Sequence, residues 1–444
     1  MNRFVLPLAA TLILAACAQT PSSTPPAVEQ TAPSNIIFMI GDGMGSNYLT
    51  AYRYFLAEGK HQQIKPTIYD QLWTGMSSTW PDDQTLVTDS AASATALATG
   101  FKSFNGAISV DQQHVPIGTM MQQAKRLGKA NGIVASSQIN HATPAAFLAH
   151  NKSRRNMDAI ADQYFDIRIN GQLVPDVMFG GGLTHFIRDD RNLVSEFQAE
   201  GYQYADSWQQ LKQLNQMPAL ALLAENGLPY VLNQEMESPL QIMTEKALEL
   251  LAGHPHGFVL MVEGSQIDWC GHANDIACAM AEMHDFARAI QSAKAFVDAN
   301  PDTLLIITAD HETGGLALAA DGIYEWRADL IYGVQFTVRE ITRRMMELEQ
   351  AELADQWRHW TGLTLSDEQR MAVLAVHDDK TELRNLLNGF INQATRTGWT
   401  TTGHTAADVP VLAYGKGAEQ FTGFMDNIDI AKRLMQFIQS SASQ

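Results

Sequence analysis

Short apolar runs alternate with amphipathic stretches along most of the chain. Runs rich in Ile, Val, Leu and Phe predict strands at Ile36–Ile40, Ile133–Ser136, Val177–Phe179, Phe258–Val262, Leu304–Thr308 and Val411–Tyr414. Helical periodicity predicts Ala91–Thr99, Thr119–Leu127, Leu240–Leu251, Ala273–Ala299 and Asn427–Ile438. The strands are apolar on both faces and most are followed by a helix. That combination implies an α/β fold, with a central, mostly parallel sheet flanked by helices on both faces. Residues 338–397, beginning "VREITRRMMELEQAELADQWRHW", are charged and helical in pattern. They predict a helical insertion or cap within a domain spanning 35–444.

The first residues carry a different pattern. "MNRFVLPLAATLILAAC" has one early cation, Arg3, then an apolar run too short to span a bilayer, then small residues before Cys17. Residues 1–16 thus read as an export signal. "LAAC" resembles the lipobox of bacterial lipoproteins, in which the cysteine is lipidated; an ordinary signal peptide with an incidental Cys17 is the alternative. Residues 17–34 are Pro/Ser/Thr-rich and read as a flexible tether. The expectation is a periplasmic protein held to the membrane by lipid on Cys17, in the outer membrane of a Gram-negative host because Ala18 is not Asp. The other two cysteines, Cys270 and Cys278, are eight apart, which on one helix spans about 12 Å. That is too far for a disulfide unless the helix starts later, so the two need not pair and no disulfide framework is expected.

Charge adds an exclusion. Lys and Arg total 30 and Asp and Glu 48, a formal net charge of −18. Nucleic-acid binding is not expected.

The chemistry-bearing residues gather where strands end. Asp42 follows the first strand inside "GDG", where glycines permit a sharp turn. Glu263, Asp268 and His272 follow another in "VEGSQIDWCGH". Asp310 and His311 follow a third in "TADHETGG", and His404 precedes a fourth in "GHTAADVP". In parallel sheets, function collects at the carboxyl ends of strands. So many carboxylates on one edge would repel one another without cations. Mixed His/Asp ligation suits zinc, and carboxylate and hydroxyl oxygens suit magnesium. "TDSAASATALATG" places Ser90 at a helix start, either as an anion cradle or as an N-cap, and Asp89 could equally be the cap. "INHATPAAFLAHNKSRRN" adds Thr143 and a basic cluster, Lys152, Arg154 and Arg155, suited to phosphate or simply to a solvated helix end.

Taken together and in order, "DSAASATA", "HATPAA…AHNKSR", "VEGSQID…GHAND", "TADHETGG" and "GHTAADVP" resemble the alkaline phosphatase family. The resemblance implies hydrolysis of phosphate monoesters through a phosphoserine on Ser90, with Arg154 clamping phosphate and Asp89 orienting Arg154. It implies one zinc on Asp268, His272 and His404, and a second on Asp42, Asp310 and His311. Magnesium would lie on Asp42, Thr143 and Glu263. The pattern is closest to compact bacterial members with His and Trp at two variable positions, His141 and Trp269, where well-studied members carry Asp and Lys. These two residues are expected to tune the magnesium site and phosphate release. The family is usually homodimeric. Two other readings are a phosphodiesterase of the same superfamily and a phosphate-binding lipoprotein without catalysis. Arg154 argues against the first, and the complete ligand set against the second.

Overall fold

A computed structural model describes residues 32–236 and 238–441. The signal segment 1–16, Cys17 and most of the tether lie outside the described residues. The main sheet has ten strands. In chain order they are β1 (Asn35–Gly41), β2 (Trp73–Ser78), β3 (Ala130–Gln138), β4 (Val177–Gly181) and β5 (Gln203–Ala205). They continue with β6 (Ala219–Leu222), β7 (Phe258–Gly264), β8 (Thr303–Thr308), β9 (Val409–Gly415) and β10 (Gly423–Asp426). Their order across the sheet is β10-β2-β9-β8-β1-β7-β3-β4-β6-β5.

Strand β1 shows why both faces are apolar. Ile37 and Met39 join one hydrophobic cluster, while Ile36, Phe38 and Ile40 join another on the opposite face. Alternate side chains therefore enter two separate cores, each roofed by helices. The register then levels the strand ends. Gly41 pairs with Gly264, Ile40 with Glu263 and with Thr308, and Ala135 with Glu263. Asp42, Glu263 and Asp310 are thereby brought to one edge.

Strand β9 alone runs against its neighbours, antiparallel to β8 and β2. Its amino end lies at the carboxyl edge of the others. His404 precedes β9, so it reaches the same edge as residues that follow their strands.

The expected helices form with ends shifted by one to three residues, with two corrections. The 273–299 stretch is not entered continuously from the site. One helix covers Gln266–His272 and another Ile276–Ala299, with a turn between them in which Asn274 is left-handed (φ 52°). That reversal brings Cys270 and Cys278 to a Cα separation of 5.5 Å, and they form a disulfide. No disulfide is expected for one continuous helix; the long helix instead starts later, at Ile276, which is the case that permits pairing. Second, the basic cluster is not a helix end: Lys152–Arg155 lie in the turn between helices Ala142–Leu148 and Met157–Asp166.

Residues 338–397 are helical at Val338–Met345, Leu353–Thr361, Asp367–Val376 and Lys380–Thr395. Trp357, Val373, Leu383, Leu387 and Ile391 extend the core that contains Ile37. Among the described residues, no helix is long and apolar enough to cross a membrane.

Candidate active site

The turn after β1 explains the glycines around Asp42. Gly43 is left-handed (φ 74°), and a Cβ there would lie 2.8 Å from both Asp268 Cα and Thr313 Oγ1. Only glycine lets the Asp42 turn pack this tightly. Asp42 is fully buried, and neither carboxylate oxygen has a hydrogen-bond partner. Glu263 Oε1, Asp310 Oδ2, Thr143 Oγ1 and His141 Nδ1 are buried and unpartnered as well. So many orphaned buried polar atoms in one place are rare in a folded protein and call for a missing partner. Burial pushes the carboxyls of Asp42, Asp310 and Glu263 up; for Asp42, the neighbouring Asp310, Asp268 and Glu263 push further.

The histidines supply independent evidence of a cation site. His272 Nδ1 lies 2.6 Å from Thr402 O, and His404 Nδ1 lies 2.8 Å from Thr88 O. A carbonyl only accepts, so each Nδ1 carries the proton and each Nε2 presents a lone pair. Those two Nε2 atoms face each other at 3.2 Å, with Asp268 oxygens at 3.4 and 3.6 Å. Two lone pairs and a carboxylate converging on one point fit a divalent metal ion. His311 repeats the arrangement. Thr313 Oγ1 donates to Asp268 Oδ1 and lies 3.2 Å from His311 Nδ1. His311 Nε2 then faces Asp310 Oδ2 at 3.2 Å, Asp42 Oδ1 at 3.5 Å and Ser90 Oγ at 3.2 Å. Burial, together with His404 and Arg154, holds His311 well below the usual imidazole range, so it is neutral.

Among the described residues, three groups could hold a metal ion: Asp268–His272–His404, Asp42–Asp268–His311 and Asp42–His141–Glu263. Compared with the sequence reading, Asp268 joins the second group, where Asp310 was expected. His141 joins the third beside the expected Thr143. Asp310 and Thr143 remain close at hand with unpartnered oxygens. Thr313 and Ser137, which bonds Glu263 Oε2 at 3.2 Å, were not singled out from sequence. Thr313 lies two residues beyond His311 inside a glycine-flanked motif, which was the available signal.

Ser90 begins the helix Ser90–Thr99, and Asp89 is its N-cap. Asp89 Oδ1 accepts from Ala92 N at 2.9 Å and Gly106 N at 3.1 Å, and Oδ2 accepts from Arg154 Nη1 at 3.0 Å. The open choice between cap and cradle is thereby narrowed: Asp89 caps, and the Ser90 hydroxyl faces His311 at the positive end of the helix. Arg154 Nη2 lies 3.4 Å from His141 Nε2, while Lys152 and Arg155 are exposed. Burial, then Arg154, lowers His141 to about 3. Trp269 packs edge-on against His141, with ring centroids 6.0 Å apart.

The alkaline phosphatase family model matches residues 33–440. The chain belongs to the alkaline phosphatase family. Alkaline phosphatase 3 of Bacillus subtilis (strain 168) is 42% identical over 412 residues, covering 91% of this chain and 89% of that protein. The cold-active alkaline phosphatase of a psychrophilic Shewanella sp. superposes with a TM-score of 0.87 at 43% identity, covering 91% of this chain and 99% of that one. A mutant TAB5 alkaline phosphatase, with a histidine replaced by aspartate and magnesium in its M3 site, has a TM-score of 0.69 at 27% identity. It covers 93% of this chain and 99% of its own. The chain is a phosphatase enzyme with residue groups suited to metal binding.

Proposed function

We propose that the enzyme hydrolyses phosphate monoesters through a phosphoserine on Ser90, in a site holding two zinc ions and one magnesium ion. The observation that carries this reading is the free Ser90 hydroxyl, 3.2 Å from His311 Nε2 and relieved of capping by Asp89. Asp268, His272 and His404 would hold one zinc ion, and Asp42, Asp310 and His311 the other. Asp42, Thr143 and Glu263 would hold magnesium. Bound divalent cations supply charge neutralisation and lower the pKa of a coordinated hydroxyl.

Arg154, held by Asp89, can offer two parallel N–H groups to the non-bridging phosphate oxygens. The N–H groups at the start of the Ser90 helix favour the same anion. In the first step a Ser90 Oγ–P bond forms and the P–O bond to the alcohol breaks. In the second, water attacks phosphorus, Ser90 leaves, and inorganic phosphate departs. His141, in the group with Asp42 and Glu263, and Trp269 against it, tune magnesium occupancy and phosphate release. The TAB5 mutant with aspartate for histidine and magnesium bound is consistent with such tuning. Acid-quenched labelling with a radioactive phosphomonoester tests the mechanism. Wild type should carry labelled phosphoserine and Ser90→Ala should not; label persisting in the variant rejects Ser90.

The cellular setting is proposed with it: removal of residues 1–16, lipid on Cys17, a tether to residue 34, and a homodimeric periplasmic enzyme. A Cys17→Ser chain should leave the membrane fraction or remain unprocessed. A processed chain still pelleting with membranes would point to another anchor.

A further inference from the structure

The helical segment 338–397 meets the site beside His272. In helix Lys380–Thr395, Asn388 Nδ2 donates to Ala273 O at 2.7 Å and Asn392 Nδ2 to Asn274 O at 3.0 Å. Between this helix, Val338–Met345 and the turn after His272 lies a cleft of about 490 Å³. Trp269 and His272 line it on the catalytic side, and Arg339, Arg384, Asn388 and Asn392 on the helical side. The volume suits a sugar-sized molecule.

Two features of the cleft point to an anion, and a third to a hydroxyl beside it. No carboxylate lines it, although the chain carries 48 acidic residues against 30 basic ones. Arg339 and Arg384 form no ion pair or hydrogen bond among the described residues, whereas the nearby Arg343 and Arg344 both bind Glu340. Asn388 Oδ1 is buried without a donor, which leaves it ready to accept from a hydroxyl. The cleft also borders the reacting centre. Of its wall residues, Trp269 packs on His141, which lies 3.4 Å from Arg154, and His272 faces His404.

We propose that Arg339 and Arg384 bind a second phosphate group on the alcohol portion of the substrate. The enzyme would thus prefer sugar bisphosphates over sugar monophosphates. This deepens the phosphomonoesterase reading and rests on it. One phosphate reacts at Ser90 while the other, at the far end of a sugar-sized alcohol, meets the two guanidinium groups. Binding energy from this remote group is available to orient the reacting ester.

The test compares fructose 1,6-bisphosphate with fructose 6-phosphate, using p-nitrophenyl phosphate as a substrate with no second phosphate. Wild type should favour the bisphosphate by about tenfold in kcat/KM. Arg339→Gln with Arg384→Gln should bring that ratio close to one and leave p-nitrophenyl phosphate turnover intact, which also reports folding. Arg384→Lys should restore part of the preference. A ratio near one in wild type, or a ratio unchanged in the double variant, overturns the proposal. Calorimetry on Ser90→Ala separates the two readings, because it scores the binding preference without chemistry. Tighter binding of the bisphosphate there, lost in the added arginine variant, upholds the cleft even if phosphoserine labelling fails. Equal binding rejects the cleft even if labelling succeeds.

Discussion

The two ends of the central sheet handle buried charge in opposite ways. At the amino end, each buried cation has a partner. Lys125 Nζ lies 2.7 Å from Asp176 Oδ1, and Asp176 Oδ2 accepts from Asn131 N at 2.8 Å. Lys129 Nζ donates to Ser34 O and His256 O, both at 2.8 Å, and the half-buried Lys416 pairs with Asp302 as well. At the carboxyl end, Asp42, Glu263 and Asp310 are as deeply buried, yet they face one another with orphaned oxygens. One end is complete as a polypeptide and serves stability. The other is complete only with cations, and its electrostatic tension is the means of holding them.

The largest effect should come from relaxing that tension. Asp42→Asn keeps the shape and removes a charge. Turnover of p-nitrophenyl phosphate should fall on the order of 10³-fold, while the chelator-treated variant should melt above chelator-treated wild type at pH 9. A lower melting temperature for the variant would mean that Asp42 is not strained by its neighbours.

The pH dependence of stability should differ with metal. A buried carboxyl whose folded pKa is raised binds its proton more tightly in the native state. Its stabilising contribution is present below the unfolded pKa and is lost as pH rises through the folded value. Glu282 (about 8) and Asp285 (about 7), both raised first by burial, impose such a loss with or without metal. Asp42, Asp310 and Glu263 add to it only when cations are stripped. Between pH 5 and 9 the chelated enzyme should lose more stability than the loaded one. Denaturant titrations at several pH values measure the gap; parallel curves would remove the contrast between the two ends.

The amino end should respond in the reverse sense. Asp176→Ala leaves Lys125 and Asn131 N without their acceptor. It should cost about 2–3 kcal/mol in urea unfolding with kcat/KM unchanged. An activity loss without a stability loss would break the division of labour.

The smallest effect is expected at His141. His141→Asp adds a fixed negative charge beside Asp42 and Glu263. Magnesium affinity should rise about tenfold, and phosphate inhibition should tighten when Trp269→Lys is added. Phosphate inhibition constants measured across a magnesium titration check this. No change at saturating magnesium would leave both residues as packing groups.

Much of the fold was legible in sequence because β1, β7 and β8 are buried on both faces, and their apolar runs admit little else. The outer strands were not. "WTGMSS" of β2 is mostly polar or small, and β5, β6 and β10 span four residues or fewer, so they are strands by virtue of their neighbours. The candidate site was legible where a residue directly follows or precedes a strand. Thr313 was missed because its task is to fix a histidine tautomer, which depends on contacts between distant segments. The Cys270–Cys278 bond was missed because it depends on a left-handed residue, Asn274, in the turn between two helices.

The reversed direction of β9 also sets when the enzyme can become active. Asp42 emerges early in synthesis, and His404 comes only after the whole helical segment has been made. Between them lie nearly all the crossovers of the sheet. Contacts so distant in the chain form late, because loop closure must precede them. A partly made or partly translocated chain therefore carries the serine and most of the carboxylates but lacks the last imidazole of the His272–His404 pair. The fold thus delays its own chemistry: the centre is assembled only once β9 has docked on β8, the same step that lets β2 and β10 join the sheet.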